Sequence, residues 1–303
     1  MQRLETEIAG VTLKNPVMNA SGTAAYGQSL AEKMDLNELG ALVIKSTTQT
    51  PRAGNPWPTT AETSAGWLNA VGLKNPGIDH VLSEELPWLA NNFPTLPIVG
   101  SVAGSTFEEY VTVAHRMASA PNVKLIEVNV SCPNVKEGGI AFGTEPQMVR
   151  ELTQAIKAQV DCPVLVKLTP AVTAIEPLVL AAEAGGADGL VMINTLMGME
   201  IDLHTRKPHL SNGTGGLSGK AIHPLAVRMV HQARQVTDLP IIGVGGVFTP
   251  ADALELMVAG AQAIQIGSAS YGNPRACHDV ITELPAAMDR YGFERIADFK
   301  VKN

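Results

Sequence analysis

Short apolar runs recur along the chain, at residues 16–19, 41–45, 97–102, 124–130, 163–168, 189–194, 240–244 and 263–267. All are far below the roughly 20 residues of a membrane helix and have the length of buried strands. Between most of them the apolar positions follow a period of about 3.6 residues, as in segments 106–118, 145–159, 224–236 and 250–259. Strands alternating with helices predict an α/β fold with a parallel sheet, and eight such units close a (β/α)8 TIM barrel. Residues 4–8 and 11–13, around Gly10, predict an N-terminal hairpin closing the barrel bottom. The units are unevenly spaced, with extra residues after the second strand (50–80), the fourth (131–143) and the sixth (195–220). These insertions all follow C-terminal strand ends, where barrel enzymes carry their chemistry.

An open doubly wound sheet would place G-x-G-x-x-G directly after the first strand. That strand instead ends in Asn19-Ala20-Ser21-Gly22. The glycine-rich stretch 213–219 follows a polar loop and reads as a flexible loop.

Composition narrows the class further. No low-complexity tract, charge block or Pro/Ser linker divides the 303 residues, which fits one domain over residues 1–303. With 22 Lys+Arg against 29 Asp+Glu, the net charge of −7 gives no electrostatic case for nucleic acid or an anionic membrane. Residues 1–10 alternate polar and apolar and lack the basic-then-apolar pattern of a signal segment. Cys132, Cys162 and Cys277 are too scattered for a disulfide framework or a C-x-x-C metal site. They predict a cytoplasmic, reducing location, no metal, and no iron–sulfur cluster held by four thiolates of this chain.

The candidate chemistry gathers at strand ends. Gly243-Val244-Gly245-Gly246 and Ile266-Gly267-Ser268 end the seventh and eighth strands, the usual phosphate position of a barrel. Glycines there bare backbone N–H groups to an anion, or simply make tight turns. Lys45 and Lys167 sit at apolar strand ends, where an ammonium needs a partner. An anion or cofactor contact, a Schiff-base lysine and a snorkelling rim lysine are the three readings. Asn129 ends the fourth strand, followed by Cys132 and Asn134, while Asn69 and Asn194 (beside Thr195) stand at other strand ends or loops. Asparagines supply donors and acceptors for a planar ring bearing C=O and N–H groups. A cysteine among them can act as general base or nucleophile. Cys162, before a strand, and Cys277, in a helix, lack polar company and read as packing residues.

Taken together, these motifs resemble the FMN-containing catalytic subunit of the class 1B, NAD+-linked dihydroorotate dehydrogenases. The matching pieces are Asn19-Ala20-Ser21-Gly22, Lys45-Ser46-Thr47-Thr48, Asn69-Ala70-Val71-Gly72-Leu73-Lys74-Asn75-Pro76-Gly77, Asn129-Val130-Ser131-Cys132-Pro133-Asn134, and the two glycine motifs above. The likeness runs from Asn15-Pro16 to Ala297-Asp298-Phe299. It implies oxidation of (S)-dihydroorotate to orotate in de novo pyrimidine (UMP) biosynthesis. FMN would lie across the barrel mouth, its phosphate near Gly245, Gly246, Gly267 and Ser268 and the rest against Ser21, Lys45, Ser46, Asn129, Lys167, Ile193 and Gly219. Lys167 would sit by the N1/O2 edge of the ring, where positive charge stabilises the reduced anion. Dihydroorotate or orotate would be gripped by Lys45, Asn69, Ala70, Val71, Gly72, Leu73, Asn129, Asn134, Asn194 and Thr195. Cys132 matches the family's base, taking the C5 proton while hydride passes from C6 to flavin N5. A thiol, with an ordinary pKa of about 8.5, is a more accessible base near neutral pH than a serine hydroxyl. Ser101 stands where relatives usually carry Asn near the flavin; it offers fewer hydrogen bonds, and no flavin contact is assigned to it.

The resemblance also speaks to class and partner. Class 2 enzymes use a serine base and carry an N-terminal membrane-associating extension, whereas this chain has Cys132 and begins almost at the barrel. Segments 195–202 and 205–208 look like class 1B rather than the fumarate-reducing class 1A homodimers. Class 1B implies a partner subunit with FAD and a [2Fe–2S] cluster that passes electrons to NAD+, on a homodimer of this chain within a heterotetramer. A class 1A-type homodimer is the alternative, and a Schiff-base aldolase-like lyase a remoter one.

Overall fold

The computed structural model describes residues 3–130, 143–296 and 299. Strands β1 (Thr6–Ile8) and β2 (Val11–Leu13) pair antiparallel across Ala9-Gly10. Both turn residues have positive φ, 49° and 82°, as a two-residue type I′ hairpin turn requires. The eight-stranded parallel barrel expected from the apolar pattern is present. With strands numbered along the chain, it comprises β3 (Val17–Asn19), β4 (Leu42–Val43), β7 (Ile98–Val102), β8 (Val123–Asn129), β9 (Val164–Lys167), β10 (Gly189–Met192), β15 (Ile241–Val244) and β16 (Ala263–Ile266). They pair in the order β3-β16-β15-β10-β9-β8-β7-β4, and a parallel bridge between Met18 and Ala41 closes the ring.

The two-residue period of a strand decides what each side chain meets. Inward-facing Met18, Ala41, Val43, Val99, Leu125, Leu165, Val191, Ile242 and Ala263 fill the lower interior. Ile8 and Leu13 of the hairpin join that cluster, so β1–β2 plugs the barrel from below. Outward-facing Val17, Leu42, Ile98, Val128, Val164, Leu190, Ile241 and Ile264 pack into the outer core. The helix Phe107–Ala118 buries Tyr110, Val113, Ala114 and Met117 there, and the Thr106 side chain accepts a hydrogen bond from the Glu109 amide to cap it. Its acidic first turn and basic last turn match the helix dipole. A capping box of Thr249 and Asp252 starts the helix Pro250–Ala259. Among the described residues, no helix is long and apolar enough to cross a membrane.

The excursion after β4 contributes β5 (Thr60–Thr63) and β6 (Gly66–Asn69). The one after β10 contributes β11 (Leu196–Gly198), β12 (Ile201–Asp202), β13 (Lys207–Pro208) and β14 (Gly215–Ser218). Four of these form an antiparallel sheet over the barrel mouth, in the order β11-β14-β6-β5. The expectation of a flexible loop at 213–219 is therefore corrected, because β14 is an inner strand paired on both sides. Its glycines serve close approach. A Cβ on Gly215 would lie 2.7 Å from the Asn69 carbonyl oxygen, and one on Gly216 would collide with the Thr195 side chain. Of the excursion after β8, residues 131–142 lie outside the described residues.

The helix Ala276–Tyr291 carries Cys277 into the core, and burial pushes its thiol up from 9.0 to about 12. Cys162 is half-buried, and burial raises its pKa as well. Above about pH 9 the folded chain keeps the Cys277 proton that the unfolded chain releases, so stability falls as pH rises towards 12. Cys277→Ala costs packing energy at neutral pH but lacks this slope. Its deficit relative to wild type should shrink by about 2 kcal/mol between about pH 8 and 10.5, as measured by urea unfolding. Parallel pH profiles for the two proteins would contradict the assignment.

Candidate active site

Two residues further up the inward faces of β7, β8, β9 and β16, the barrel interior changes from apolar to polar. Ser101 follows Val99, Glu127 follows Leu125, Lys167 follows Leu165 and Gln265 follows Ala263. Ser101, Glu127 and Gln265 are fully buried, and Lys167 is 5% exposed. The Gln265 amide Nε2 donates to Glu127 Oε2 at 2.8 Å, and the Ser101 hydroxyl donates to Glu127 Oε1 at 3.1 Å. Lys167 Nζ donates to Glu127 Oε1 at 3.5 Å and to Gln265 Oε1 at 3.3 Å. Ser101 continues the network upward, 2.8 Å from the Ser46 hydroxyl and 3.2 Å from that of Ser21. A buried charge is tolerated only when paired and hydrogen-bonded in this way.

Above this layer the strand ends surround two adjoining cavities, of about 190 and 410 Å³. Ser21, Lys45, Ser46, Asn129, Lys167, Ile193, Gly219, Gly245, Gly246, Gly267 and Ser268 all line the smaller one. Asn69, Ala70, Val71, Gly72, Leu73, Asn129, Asn194 and Thr195 line the larger. Six residues, Asn69, Val71, Leu73, Asn129, Asn194 and Thr195, border both. Lys45, expected at both ligands, borders only the smaller cavity. Cys132 and Asn134 lie outside the described residues.

Each wall has a local cause. Asn129 is two positions beyond Glu127 on the same strand face. Its side-chain oxygen accepts from Asn194 Nδ2 at 3.1 Å, and its carbonyl accepts from the Tyr110 hydroxyl at 2.8 Å. Gly72 has φ +73°, and a Cβ there would lie 2.8 Å from Asn55. The Asn75 side chain accepts from the Thr48 and Gly77 amides and donates to the Leu73 carbonyl, which fixes the loop behind that wall. At the opposite end, Gly245 and Gly246 have φ of 137° and 69°. His223 closes in behind them, its Nδ1 2.7 Å from the Gly245 carbonyl oxygen. After β16 the chain passes through Gly267 and Ser268 into the short helix Ala269–Gly272. Loops after the seventh and eighth strands with a short extra helix form the phosphate site of many barrels.

Several lining residues escape the sequence reading. Thr169 is buried two positions beyond Lys167, so the alternation alone could have found it. Met197 and Asn212 reach the larger cavity from the excursion after β10, and Tyr271 reaches the smaller one, edge-on to Trp67 at 5.4 Å. No local sequence signal marks these three.

The sequence profile of the dihydroorotate dehydrogenase family matches residues 3–288. The chain belongs to this family. Among its relatives, dihydroorotate dehydrogenase A (fumarate) of Lactiplantibacillus plantarum is 70% identical over 292 residues, 96% of each chain. The protein of the same name from Limosilactobacillus reuteri is 57% identical, over 98% of this chain and 97% of the relative. The catalytic subunit of dihydroorotate dehydrogenase B (NAD(+)) from Anoxybacillus flavithermus is 54% identical, over 98% of this chain and 95% of the relative. The dihydroorotate dehydrogenase relatives thus divide by the acceptor in their names.

A Cβ added at Gly246 would lie 2.6 Å from the His223 Cβ and 2.8 Å from the Gly219 carbonyl oxygen. Gly246→Ala should therefore destabilise the fold by about 2 kcal/mol or more through backbone strain and overpacking. Urea unfolding without added ligand measures this, and an unchanged midpoint would contradict it.

Proposed function

We propose that this chain oxidises (S)-dihydroorotate to orotate, in the formation of pyrimidines, with FMN held in the smaller cavity and the substrate in the larger. The observation that carries the reading is the convergence on one cleft of residues from separate strand ends, in a chain matched to the family over residues 3–288. The donor set fits the cofactor. Glycines and Ser268 at one end bare backbone N–H groups for a phosphate, while hydroxyls of Ser21 and Ser46, the Asn129 amide and two ammoniums suit a ring rich in acceptors. FMN bound there supplies the two-electron acceptor for the hydride that leaves C6 of dihydroorotate.

The remaining work belongs to the chain. Lys167, reaching the cavity floor, presents a positive charge to the ring edge. Asn69, Asn129 and Asn194 offer amide donors and acceptors to the planar substrate and fix its orientation. Cys132, three positions after Asn129 in the sequence, takes the C5 proton on its Sγ; this role rests on the Asn129-Val130-Ser131-Cys132-Pro133-Asn134 sequence. Cys132→Ser should keep flavin and orotate binding but slow flavin bleaching by dihydroorotate at least a hundredfold at neutral pH, in line with loss of a general base. Stopped-flow bleaching at the wild-type rate would remove Cys132 from that role. A colourless protein whose Lys45 or Lys167 is trapped by borohydride with a carbonyl substrate would favour the lyase reading.

Two readings of the acceptor each have an observation behind them. Fumarate, with this chain acting as a homodimer, is supported by the 70% identical relative. NAD+, reached through a partner subunit with FAD and [2Fe–2S] in a heterotetramer, is supported by the class 1B-like segments 195–202 and 205–208 and by the 54% identical relative. Fumarate reduction by the purified chain alone selects the first. NAD+ reduction that appears only on co-expression with such a partner selects the second.

A further inference from the structure

The proposed mechanism uses Lys167 and leaves its buried counter-ion unexplained. Glu127 borders neither cavity, so it is not placed to touch a ligand. It is fully buried, and both of its carboxylate oxygens are engaged: Oε1 by Lys167 and Ser101, Oε2 by Gln265. Lys167 is the member of this layer that reaches the smaller cavity. All three of these hydrogen bonds are donated to Glu127, so an amide of the same shape would turn an NH2 group towards a donor unless its neighbour exchanged roles with it. What an amide could not supply is the negative charge.

We propose that Glu127 is a positioning residue that sets the net charge Lys167 presents to the cofactor and thereby lowers the reduction potential of bound FMN. The inference rests on the flavin reading above. A lone ammonium under the ring would favour the reduced, negatively charged flavin strongly and raise its potential. In this low-dielectric layer a carboxylate 3.5 Å from that ammonium offsets much of its field. Gln265 holds the pair in register, accepting from Lys167 and donating to Glu127. The flavin is then poised to accept electrons from dihydroorotate and still release them to the next acceptor.

The test is a redox titration of the flavin-loaded protein against a reference dye, with flavin content and thermal stability measured alongside. Glu127→Gln should raise the two-electron equilibrium constant for reduction at least tenfold, about 30 mV. Gln265→Leu removes hydrogen bonds from both ions but no charge, and should leave that constant within threefold of wild type. The swap E127Q/Q265E keeps one carboxylate, one amide and one ammonium in the layer and should return the constant to within threefold of wild type. Restoration by the swap distinguishes a charge effect from a packing effect, because a purely structural role gives no reason for the potential to follow the carboxylate. A loaded E127Q protein with an unchanged potential overturns the proposal. Should E127Q alone fail to fold, the swap decides: a wild-type potential supports the proposal and a tenfold displacement overturns it. Wild-type protein that takes up no FMN would sink the cofactor reading, and this inference with it; flavin bound at an unaltered potential in E127Q would sink this inference alone.

Discussion

A closed barrel of eight parallel strands has to fill its own interior, and the way this one does so governs everything above it. The lower part is apolar and is stoppered by Ile8 and Leu13 of the N-terminal hairpin. One strand period higher, the interior holds the Glu127–Lys167 ion pair, whose burial obliges every neighbouring polar group to take a partner. Ser101 and Gln265 meet that demand from β7 and β16, and the serine hydroxyls carry the hydrogen bonding up to the cleft. The floor of the site is thus a fixed charge array rather than a flexible surface, which is the condition for electrostatic preorganisation.

How much of this was legible in the sequence depended on how singular each residue's signal was. The strand positions could be read because apolar runs of that length, bounded by turns and alternating with helical periods, fit little besides buried strands. Lys167 is conspicuous as a charge in an apolar run, whereas Glu127 and Gln265 break their own runs less noticeably; inward alternation groups all three. Set against an asparagine, Ser101 offers fewer hydrogen bonds, yet its small hydroxyl joins Ser21, Ser46 and Glu127 in one buried network. The glycines at 215 and 216 misled for a physical reason. Glycine marks both freedom of the backbone and the absence of room for a side chain, and only the tertiary neighbours decide between the two.

The two halves of the reaction have different visibility. Binding and orienting dihydroorotate is a matter of residues inside the cleft, which motifs at strand ends encode. Where the electrons go next is not encoded there, since fumarate would need no surface outside the cleft and the proposed partner subunit would. Outside the cleft, the β12–β13 hairpin leaves Ile201 half-exposed and Leu203 86% exposed. Likeness over nearly the whole chain therefore fixes the family while leaving relatives with fumarate and NAD(+) in their names side by side.

The antiparallel sheet over the mouth has a consequence for how the protein comes into being. Asn69 and Gly216, joined by a 3.2 Å hydrogen bond, are 147 positions apart in the chain. Closing so long a loop carries an entropic cost that the pairing must offset. The barrel closes over a longer span still, Val17 of β3 against Ile264 of β16, and its polar floor needs Gln265 from that same last strand. A nascent chain therefore lacks both its charged floor and its closed cleft until the eighth barrel strand has joined the first.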